Sequence, residues 1–519
     1  MGPKSRQNAA EQDLFRMELV NLIDQRHELV KLAALIDWPA FEQAWGHRFE
    51  STTGRPALPT RLMASLLYLK HTFTLSDEDV VERWIENPYW QHVSGERYFR
   101  HELPSDPSSL VRWRQRIGEE GCEWLLEHSI KAAVSAGMMK RQSLDTVIVD
   151  TTVQPKAIAH PTDSRLLNRA REQLVAAAQE AGIELRQSYA RIGKTADAQA
   201  GRYAHAQQWR RMRREVKKLR TWLGRVIRDV QRKAGELGGV LKARMETAQR
   251  LHAQHRDAKN KLYALHAPEV ECIAKGKART PYEFGVKTSV AVTAKEGVVV
   301  GMRSMPGSPY DGHTLHSQLE QVEILTGVKP AMALADRGYR GVVPPDGTRL
   351  LISHTRGLPP SLKKLLKRPQ AIEPTIGHMK TDGLLARNWL KGSDGDTIHA
   401  VLCGAGHNLR LILAHLRVLL LALLAMLLLG RIGVAWSEQQ LSAAVLRAVR
   451  VVQGGLNIGA HPLGRIMYRS QRDALHAHLI GFPLVRPRLS DLHSTKASCA
   501  RGMTANAQPI RRLVPMWPN

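Results

Sequence analysis

Short apolar and alternating stretches in the middle of the chain predict β-strands. Residues 146–149 form a β-branched run that ends at an acid, and residues 282–292 alternate between apolar and smaller or polar side chains. The sequence Lys295-Glu-Gly297 then predicts a tight turn that leads into the apolar residues 298–300. Because two such runs joined by a glycine-containing turn are typical of a hairpin, we expect the last two stretches to pair.

The segments that follow this hairpin alternate between helical and strand patterns. Residues 331–335 and 349–353 are short apolar runs that predict strands, whereas residues 313–325 and 374–387 predict helices. The order strand, hairpin, helix, strand, strand, helix is typical of a mixed α/β domain, which we assign to residues 141–430.

Residues 1–140 carry apolar positions at helical spacing and predict a helical N-terminal domain that binds DNA. Ser76 has the character of an N-cap, because three acids and then the apolar positions around Trp84 follow it. Pro107 begins a further helix, whose arginines either contact DNA or form a solvated charged face. These residues are Arg112, Arg114 and Arg116.

A long polar segment, residues 163–270, interrupts the α/β pattern and predicts helices. From Trp209 to Val230 the apolar residues recur in steps of three and four, which is typical of a heptad-like seam. Residues 202–233 contain 12 Lys or Arg and only two acids, whereas a solvated helical face ordinarily mixes both signs. We therefore expect a basic helical insertion that binds phosphates. The residues assigned to this surface are Arg210, Arg211, Arg213, Arg214, Lys217 and Lys218.

The overall charge of the chain also favours a polyanionic partner. Its 519 residues include 75 Lys and Arg against 48 Asp and Glu, which gives a net charge of +27 and a pI near 10.2. Such a field attracts nucleic acid or an anionic membrane surface. The four cysteines have no CxxC spacing, so we predict neither a zinc site nor disulfides, and a reducing, cytoplasmic location.

One apolar run near the C-terminus raises the membrane alternative. Residues 418–429 are all apolar, with Arg417 before them and Arg431 soon after. The run is too short to span a bilayer, which takes about 20 residues, so we expect a buried core helix and no membrane association. Residues 431–519 sustain no pattern and predict an appended, poorly ordered tail.

Three acids lie at the ends of predicted elements. Asp150 and Asp336 each follow an apolar strand, and Glu373 directly precedes Pro374 at the start of a predicted helix. An unpaired carboxylate beside a core is costly to desolvate, so these three acids indicate a function. Carboxylate oxygens suit Mg²⁺ or Mn²⁺, and two such ions can serve phosphoryl transfer. Lys380, two turns further along the same helix, is placed to bind a DNA phosphate.

Five motifs of the chain carry a family resemblance. They are Val149-Asp-Thr-Thr-Val153, Pro309-Tyr-Asp-Gly-His-Thr-Leu315, Ala335-Asp-Arg-Gly-Tyr-Arg-Gly341, Ala371-Ile-Glu-Pro-Thr-Ile-Gly-His-Met-Lys380 and Gly406-His-Asn-Leu-Arg410. With these motifs, residues 20–428 resemble the DDE transposases of bacterial insertion sequences, and among them most closely the insertion-sequence-five family.

The resemblance implies an RNase-H-like catalytic domain in which Asp150, Asp336 and Glu373 are catalytic and hold two Mg²⁺ or Mn²⁺ ions. It implies cleavage of double-stranded DNA at the terminal inverted repeats of an element, followed by transfer of the freed 3′-OH into target DNA. It also implies a homodimer on DNA, in the cytoplasm at the bacterial nucleoid. No nucleotide cofactor is expected, because the chain has no GxxxxGK[ST] motif.

The chain departs from the family signature before the glutamate. That signature has Tyr and Arg where this chain has Leu366 and Pro369, and Arg368, one position away, is assigned to DNA binding. Two alternatives to a transposase therefore stay open. One is a catalytically inactive DNA-binding repressor of the element, and the other is a plain RNase-H-like nuclease, which would cleave DNA without joining strands.

Overall fold

The computed structural model describes most of the chain up to residue 431. The described residues are 17–49, 57–235, 238–255, 257–258, 260–275, 281–353 and 372–431, with the backbone alone for His47 and residues 421–431. The described residues up to Leu416 form one compact unit, and those from Arg417 are assigned to a second. The predictions for Leu366, Arg368 and Pro369, and for the tail beyond residue 431, lie outside the described residues.

Six strands in the described part of the chain form one mixed sheet. They are β1 (Thr146–Pro155), β2 (Glu271–Ala274), β3 (Tyr282–Thr293), β4 (Val299–Met305), β5 (Met332–Ala335) and β6 (Arg349–Ile352). β1 pairs antiparallel with β3 on one side and parallel with β5 on the other, and β5 pairs parallel with β6. Both β2 and β4 pair with the far edge of β3, at different positions along it. β1 is therefore the central strand, and Val147, Ile148 and Val149 are fully buried.

The first strand is longer than its apolar run predicts. We expected it to end at Asp150, but β1 continues to Pro155. The prediction was wrong because the added residues include Thr151, Thr152 and Gln154, which are polar and carry no strand pattern of their own. Their conformation is set by antiparallel pairing with β3, a long-range contact that local sequence does not reveal.

The hairpin predicted between β3 and β4 is confirmed, with Gly297 at a φ of +73° in its turn. Asn408, from the last motif quoted above, lies beside β4. Its side-chain amide accepts a hydrogen bond from the Val299 N–H and donates one to the Val299 carbonyl, both at 2.8 Å. The amide thus bonds β4 as a neighbouring strand would, which gives this motif residue a structural role.

Helices form the N-terminal region as predicted. They are α1 (Leu19–Leu22), α2 (Glu28–Leu35), α3 (Trp38–Trp45), α4 (Thr60–Phe73), α5 (Asp77–Glu86), α6 (Pro88–Val93) and α7 (Pro107–Ser135). Ser76 caps α5 in a reciprocal capping box with Asp79, as the pattern predicts. Gly118, at a φ of +66°, kinks α7. The hydrophobic core of these helices continues without a break into the sheet.

Three further helices follow the hairpin in the residues that the structure describes. They are α8 (Leu315–Thr326), α9 (Ile372–Thr381) and α10 (Gly392–Arg431). The helix predicted over residues 418–429 is confirmed as the end of α10, although Leu419 there is 47% exposed. No helix in the described residues is long and apolar enough to cross a membrane.

The insertion between β1 and β2 consists of four helices with a hydrophobic core of their own. In chain order they are αA (Asp163–Glu180), αB (Ala190–His205), αC (Trp209–Lys233) and αD (Gly239–Ala253). The predicted seam is confirmed, because Leu219, Leu223, Val226 and Val230 of αC are buried. They pack in a cluster that includes Leu174 of αA but no residue of the sheet.

A buried ion-pair network joins the two ends of this insertion. The Lys156 ammonium, just after β1, lies 2.8 Å from Glu269, just before β2, and 2.7 Å from Asp396 of α10. Asn388 donates a further hydrogen bond to the Asp396 carboxylate at 2.6 Å. The insertion therefore leaves and re-enters the α/β part of the chain at one point.

Candidate functional site

Two of the predicted acids lie side by side on neighbouring strands. In the parallel pairing of β1 with β5, Ile148 is opposite Leu334, so Asp150 and Asp336 come level just after β5 has ended. The Asp336 carboxylate accepts a hydrogen bond from the Gly338 N–H at 2.8 Å and caps the short 3₁₀ turn that follows. The carboxyl ends of parallel strands are where α/β sheets open a crevice for ligands.

A third aspartate, to which sequence reasoning gave no role, lies in the same crevice. Asp311 begins the 3₁₀ turn before α8, and its Oδ1 accepts hydrogen bonds from Thr151 at 2.8 Å and Lys287 at 2.9 Å. A methyl group added at Gly338 would lie 3.1 Å from Asp311 Oδ2 and 3.0 Å from Asp336 Oδ1. Asp311 follows no strand, so the only signal for it was its place in one of the quoted motifs.

The crevice is electrostatically unfavourable for its own carboxylates. Burial, together with the negative charges of Asp336 and Asp311, raises the pKa of Asp150 to about 6, although the Thr151 N–H at 2.7 Å favours the charged form. Tyr339 is fully buried beside these acids, and burial raises the pKa of its hydroxyl above the usual value. That hydroxyl lies near Thr314 but forms no hydrogen bond in the described residues.

Glu373 lies on a helix that packs against β1. α9 begins at Ile372, so Glu373 is in its first turn rather than before it, which corrects the prediction that Pro374 starts the helix. Proline is tolerated anywhere in a first turn, because the N–H groups there have no intrahelical acceptor. The Glu373 side chain is exposed, and Lys380, later in α9, lies 3.9 Å from Glu283 of β3.

The donors of this crevice suit a hard divalent cation, but no cage is formed. Among the described residues, no three His, Cys, Asp or Glu side chains are close enough together to hold a metal ion, so Glu373 does not complete a group with the two strand-end aspartates. The carboxylate oxygens of Asp150, Asp311 and Asp336 are nevertheless the ligand type that Mg²⁺ and Mn²⁺ prefer. The buried Tyr339 hydroxyl, which lies beside these acids, is a polar group without a hydrogen-bond partner in the described residues.

The three arginines of α7 differ in their exposure. Arg112 and Arg116 are exposed, as contact with DNA requires. Arg114 is 2% exposed, and its guanidinium donates two hydrogen bonds to Asp77 of α5, at 2.8 and 2.6 Å. The assignment of Arg114 to DNA binding is therefore corrected, because its charge is used inside the protein.

The basic residues assigned on αC form a surface of one sign. All six of them are exposed, whereas the two acids of this helix, Glu215 and Asp229, are 7% and 5% exposed. Lys218 lies 2.8 Å from Glu215, and Asp229 accepts a hydrogen bond from the Arg186 N–H at 2.8 Å. The outward face of αC thus presents cations with no exposed acid between them.

One comparison with known proteins concerns the N-terminal helices. Residues 17–116 match a family described as “Transposase domain (DUF772)”. A relative from Rhizobium meliloti, the uncharacterized protein ORF8 in the nfe locus, is 54% identical over 205 residues, which are 40% of this chain and 99% of that protein. No solved structure matches the chain. The matched family domain includes Arg112, Arg116 and the buried Asp77.

Proposed function

The chain belongs to the same family as the Rhizobium meliloti ORF8 protein and contains a transposase domain, and from this premise we propose that it is a metal-dependent DDE transposase of a bacterial insertion sequence. The observation that carries the proposal is the juxtaposition of Asp150, in the middle of β1, and Asp336, which directly follows the end of the parallel strand β5. Two acids at the same level on neighbouring strands could hold the metal ions for phosphodiester cleavage. The net charge of +27 would attract a polyanionic substrate such as DNA.

The order of elements supports an RNase-H-like catalytic domain within the mixed α/β fold. The family resemblance places the first acid on the first strand, the second on the fourth and the glutamate on a later helix. Asp150 lies on β1, and Asp336 follows β5, which is the fourth strand when the short β2 at the end of the insertion is set aside. Glu373 lies on α9, which follows β6.

In this proposal the acids hold two Mg²⁺ or Mn²⁺ ions at the crevice. Asp150, Asp336 and Glu373 would be the residues that hold them. The ions would activate water and neutralise charge that develops on the phosphate. The chain would hydrolyse a phosphodiester at each element end to free a 3′-OH, and then direct that hydroxyl at a phosphate of target DNA.

Basic residues outside the crevice hold the DNA in this proposal. The exposed Arg112 and Arg116 of α7 and the six exposed cations of αC bind the phosphates of the terminal inverted repeats. Arg368 and Lys380 flank Glu373 in sequence and bind phosphates near the cleavage point. Two copies of the chain would synapse the two ends as a homodimer, at the nucleoid in the bacterial cytoplasm.

Cleavage of a plasmid that carries the element ends tests the proposal. The purified full-length chain is incubated with supercoiled DNA and Mg²⁺, and nicked, linear and joined products are separated on a gel. We expect cleavage and joined strand-transfer products from the unmodified chain. Asp150→Asn, Asp336→Asn and Glu373→Gln should each reduce both products by about a thousandfold or more. Asp145→Asn, an exposed acid just before β1, is the matched control.

Each alternative gives a distinct result in the same assay. DNA binding without cleavage by the unmodified chain would favour the inactive repressor. Cleavage without joined products would favour the plain nuclease. Full activity of the Asp336→Asn variant would show that the crevice is not the catalytic site.

A further inference from the structure

Asp311 has one carboxylate oxygen fixed by the sheet and one directed into the crevice. Its Oδ1 accepts hydrogen bonds from Thr151 of β1 and Lys287 of β3. The Lys287 ammonium is itself fixed by a hydrogen bond to the Pro309 carbonyl at 2.6 Å. In the described residues Oδ2 accepts no hydrogen bond, so donors on two strands orient a carboxylate whose other oxygen is left available.

The available oxygen of Asp311 lies next to Asp336. Asp311 Oδ2 and Asp336 Oδ1 are each close to the point where a side chain at Gly338 would begin. The two oxygens are therefore no more than about 6 Å apart, and one divalent ion with a bond of about 2.1 Å to each would draw them to about 4 Å from each other. Like charges this close repel, whereas a cation between them would be bound by both.

Tyr339 gives independent support for a ligand at this place. Its side chain is 0% exposed and its hydroxyl forms no hydrogen bond in the described residues, although a buried polar group without a partner is unfavourable. The hydroxyl lies within electrostatic range of Asp150, Asp311 and Asp336. A water coordinated by an ion would donate a hydrogen bond to the Tyr339 oxygen and so supply the partner that this hydroxyl lacks.

We propose that Asp311 is a further metal ligand of this chain, which binds a divalent cation jointly with Asp336. The proposal rests on the proposed function, because it concerns the same ions. Lys287 and Thr151 are positioning residues, since they contact Asp311 and not the cation.

Binding of Mn²⁺ to the full-length chain without DNA tests this assignment. Affinity is measured by isothermal titration at pH 7.5, and bound Mn²⁺ is counted by electron paramagnetic resonance. Asp311→Asn keeps an oxygen that can accept from Thr151 and Lys287 but loses the charge, so we expect its Mn²⁺ affinity to fall by about tenfold or more. Asp336→Asn should remove binding altogether, and the control Asp145→Asn should bind as the unmodified chain does.

Thermal unfolding in EDTA separates this effect from misfolding. The Asp311→Asn protein should unfold within a few degrees of the unmodified chain, and Asp311→Ser is the second variant if it does not. Unchanged Mn²⁺ affinity in both variants, with binding lost in Asp336→Asn, would overturn the role of Asp311 and leave the proposed function intact. Absence of Mn²⁺ binding by the unmodified chain would instead overturn the metal site itself, and with it the metal-dependent function.

Discussion

Asp150 combines burial with two neighbouring negative charges, so its ionised form destabilises the metal-free protein. An aspartate in an unfolded chain has a pKa near 3.9, whereas the pKa of Asp150 in the folded protein is about 6. The folded state binds this proton more tightly, so the stability that protonation contributes is present below about pH 4 and is lost as the pH rises through about 6. A cation in the crevice would restore it.

We therefore predict that Asp150→Asn stabilises the chain at neutral pH in EDTA. The expected gain in the free energy of unfolding is roughly 1–3 kcal/mol at pH 7.5. It should be less than about 1 kcal/mol at pH 4, where Asp150 is protonated in the folded state and about half protonated in the unfolded state. Urea unfolding at the two pH values measures it. Mg²⁺ at pH 7.5 should stabilise the unmodified chain more than the variant. An equal gain at both pH values would show that ionisation of Asp150 is not the cause.

Arg114 is the second residue whose role depends on the groups around it, since its burial against Asp77 gives it a structural role. Its guanidinium lies between α7 and α5, bonded to Asp77, which also accepts a hydrogen bond from Lys70 at 2.8 Å. Burial by itself would raise the pKa of Asp77, but the hydrogen bonds from Arg114 and the charge of Lys70 hold it well below its usual range. Removing one member of such a buried group leaves charge uncompensated.

We predict that Arg114→Gln lowers the free energy of unfolding by about 3 kcal/mol or more at pH 7, measured by urea titration. Arg112→Gln, two residues away and exposed, is the matched control and should change stability by less than about 0.5 kcal/mol while it weakens DNA binding. If Arg114→Gln instead unfolded like the unmodified chain and lost only DNA affinity, the original assignment to DNA would be correct.

At the scale of elements, αC carries a row of exposed cations that its packing in the insertion core does not require. Its cations at positions i, i+3, i+4 and i+7 share one exposed face, while the opposite side packs in the insertion core. Neutralising that face should therefore leave the fold unchanged and alter only the interaction with phosphates. The chosen substitutions to glutamine are at Arg210, Arg213, Arg214 and Lys217.

We predict that this fourfold variant binds DNA with a weaker dependence on salt. For each phosphate contact removed, the slope of log affinity against log salt concentration should fall by about 0.9, and fluorescence anisotropy at four salt concentrations measures it. The matched control removes four exposed cations at the opposite end of the sheet from Asp150. These are Lys140, Arg141, Lys295 and Lys329. Equal slopes for both variants would mean that net charge, and not αC, governs binding.

The elements that sequence predicts well are those whose signals are local. The capping box at Ser76, the turn at Gly297 and the seam of αC all depend on residues within one or two turns of each other, and all are confirmed. The extension of β1 was missed because pairing with β3 determines it, more than 130 residues along the chain. The order of strands was predictable, whereas their neighbours in the sheet were not.

The same distinction applies to the crevice. Asp150 and Asp336 were predictable because an apolar run that stops at an acid is a local pattern. Asp311 was not, because its place beside Asp336 depends on how a 3₁₀ turn packs against β1 and β3. The burial of Arg114 could have been anticipated, since its spacing from Leu110, Trp113 and Ile117 places it on the apolar face of α7.

At the scale of the whole molecule, the described chain contains two large hydrophobic cores with different tasks. One joins the N-terminal helices to the sheet, and the other lies entirely within the insertion helices. The charge of the crevice is negative and that of the outer face of αC is positive. Cation binding and DNA binding are thus assigned to parts of the chain that are stabilised separately, which makes them separable by experiment.

We predict that the insertion can be removed without unfolding the rest of the chain. Lys156 and Glu269, at its two ends, lie 2.8 Å apart in a buried network, so a short glycine-serine linker in place of residues 161–262 can join the remaining chain. Ile158 and Tyr263, which pack against the small cluster beside β2, are kept. The shortened protein should unfold cooperatively, because its core contains no insertion residue.

The shortened protein should also separate the two binding activities. Its Mn²⁺ affinity, measured by isothermal titration, should equal that of the full chain, because Asp150, Asp311 and Asp336 all lie outside the removed segment. Its DNA affinity should fall, with a salt dependence at least as weak as that of the fourfold αC variant.

A second deletion that also carries Lys156→Met should lose stability by about 3 kcal/mol or more, since it leaves Glu269 and Asp396 buried without their cation. Loss of Mn²⁺ binding in a folded deletion protein would mean that the insertion helps to form the crevice, contrary to the separation of the two cores.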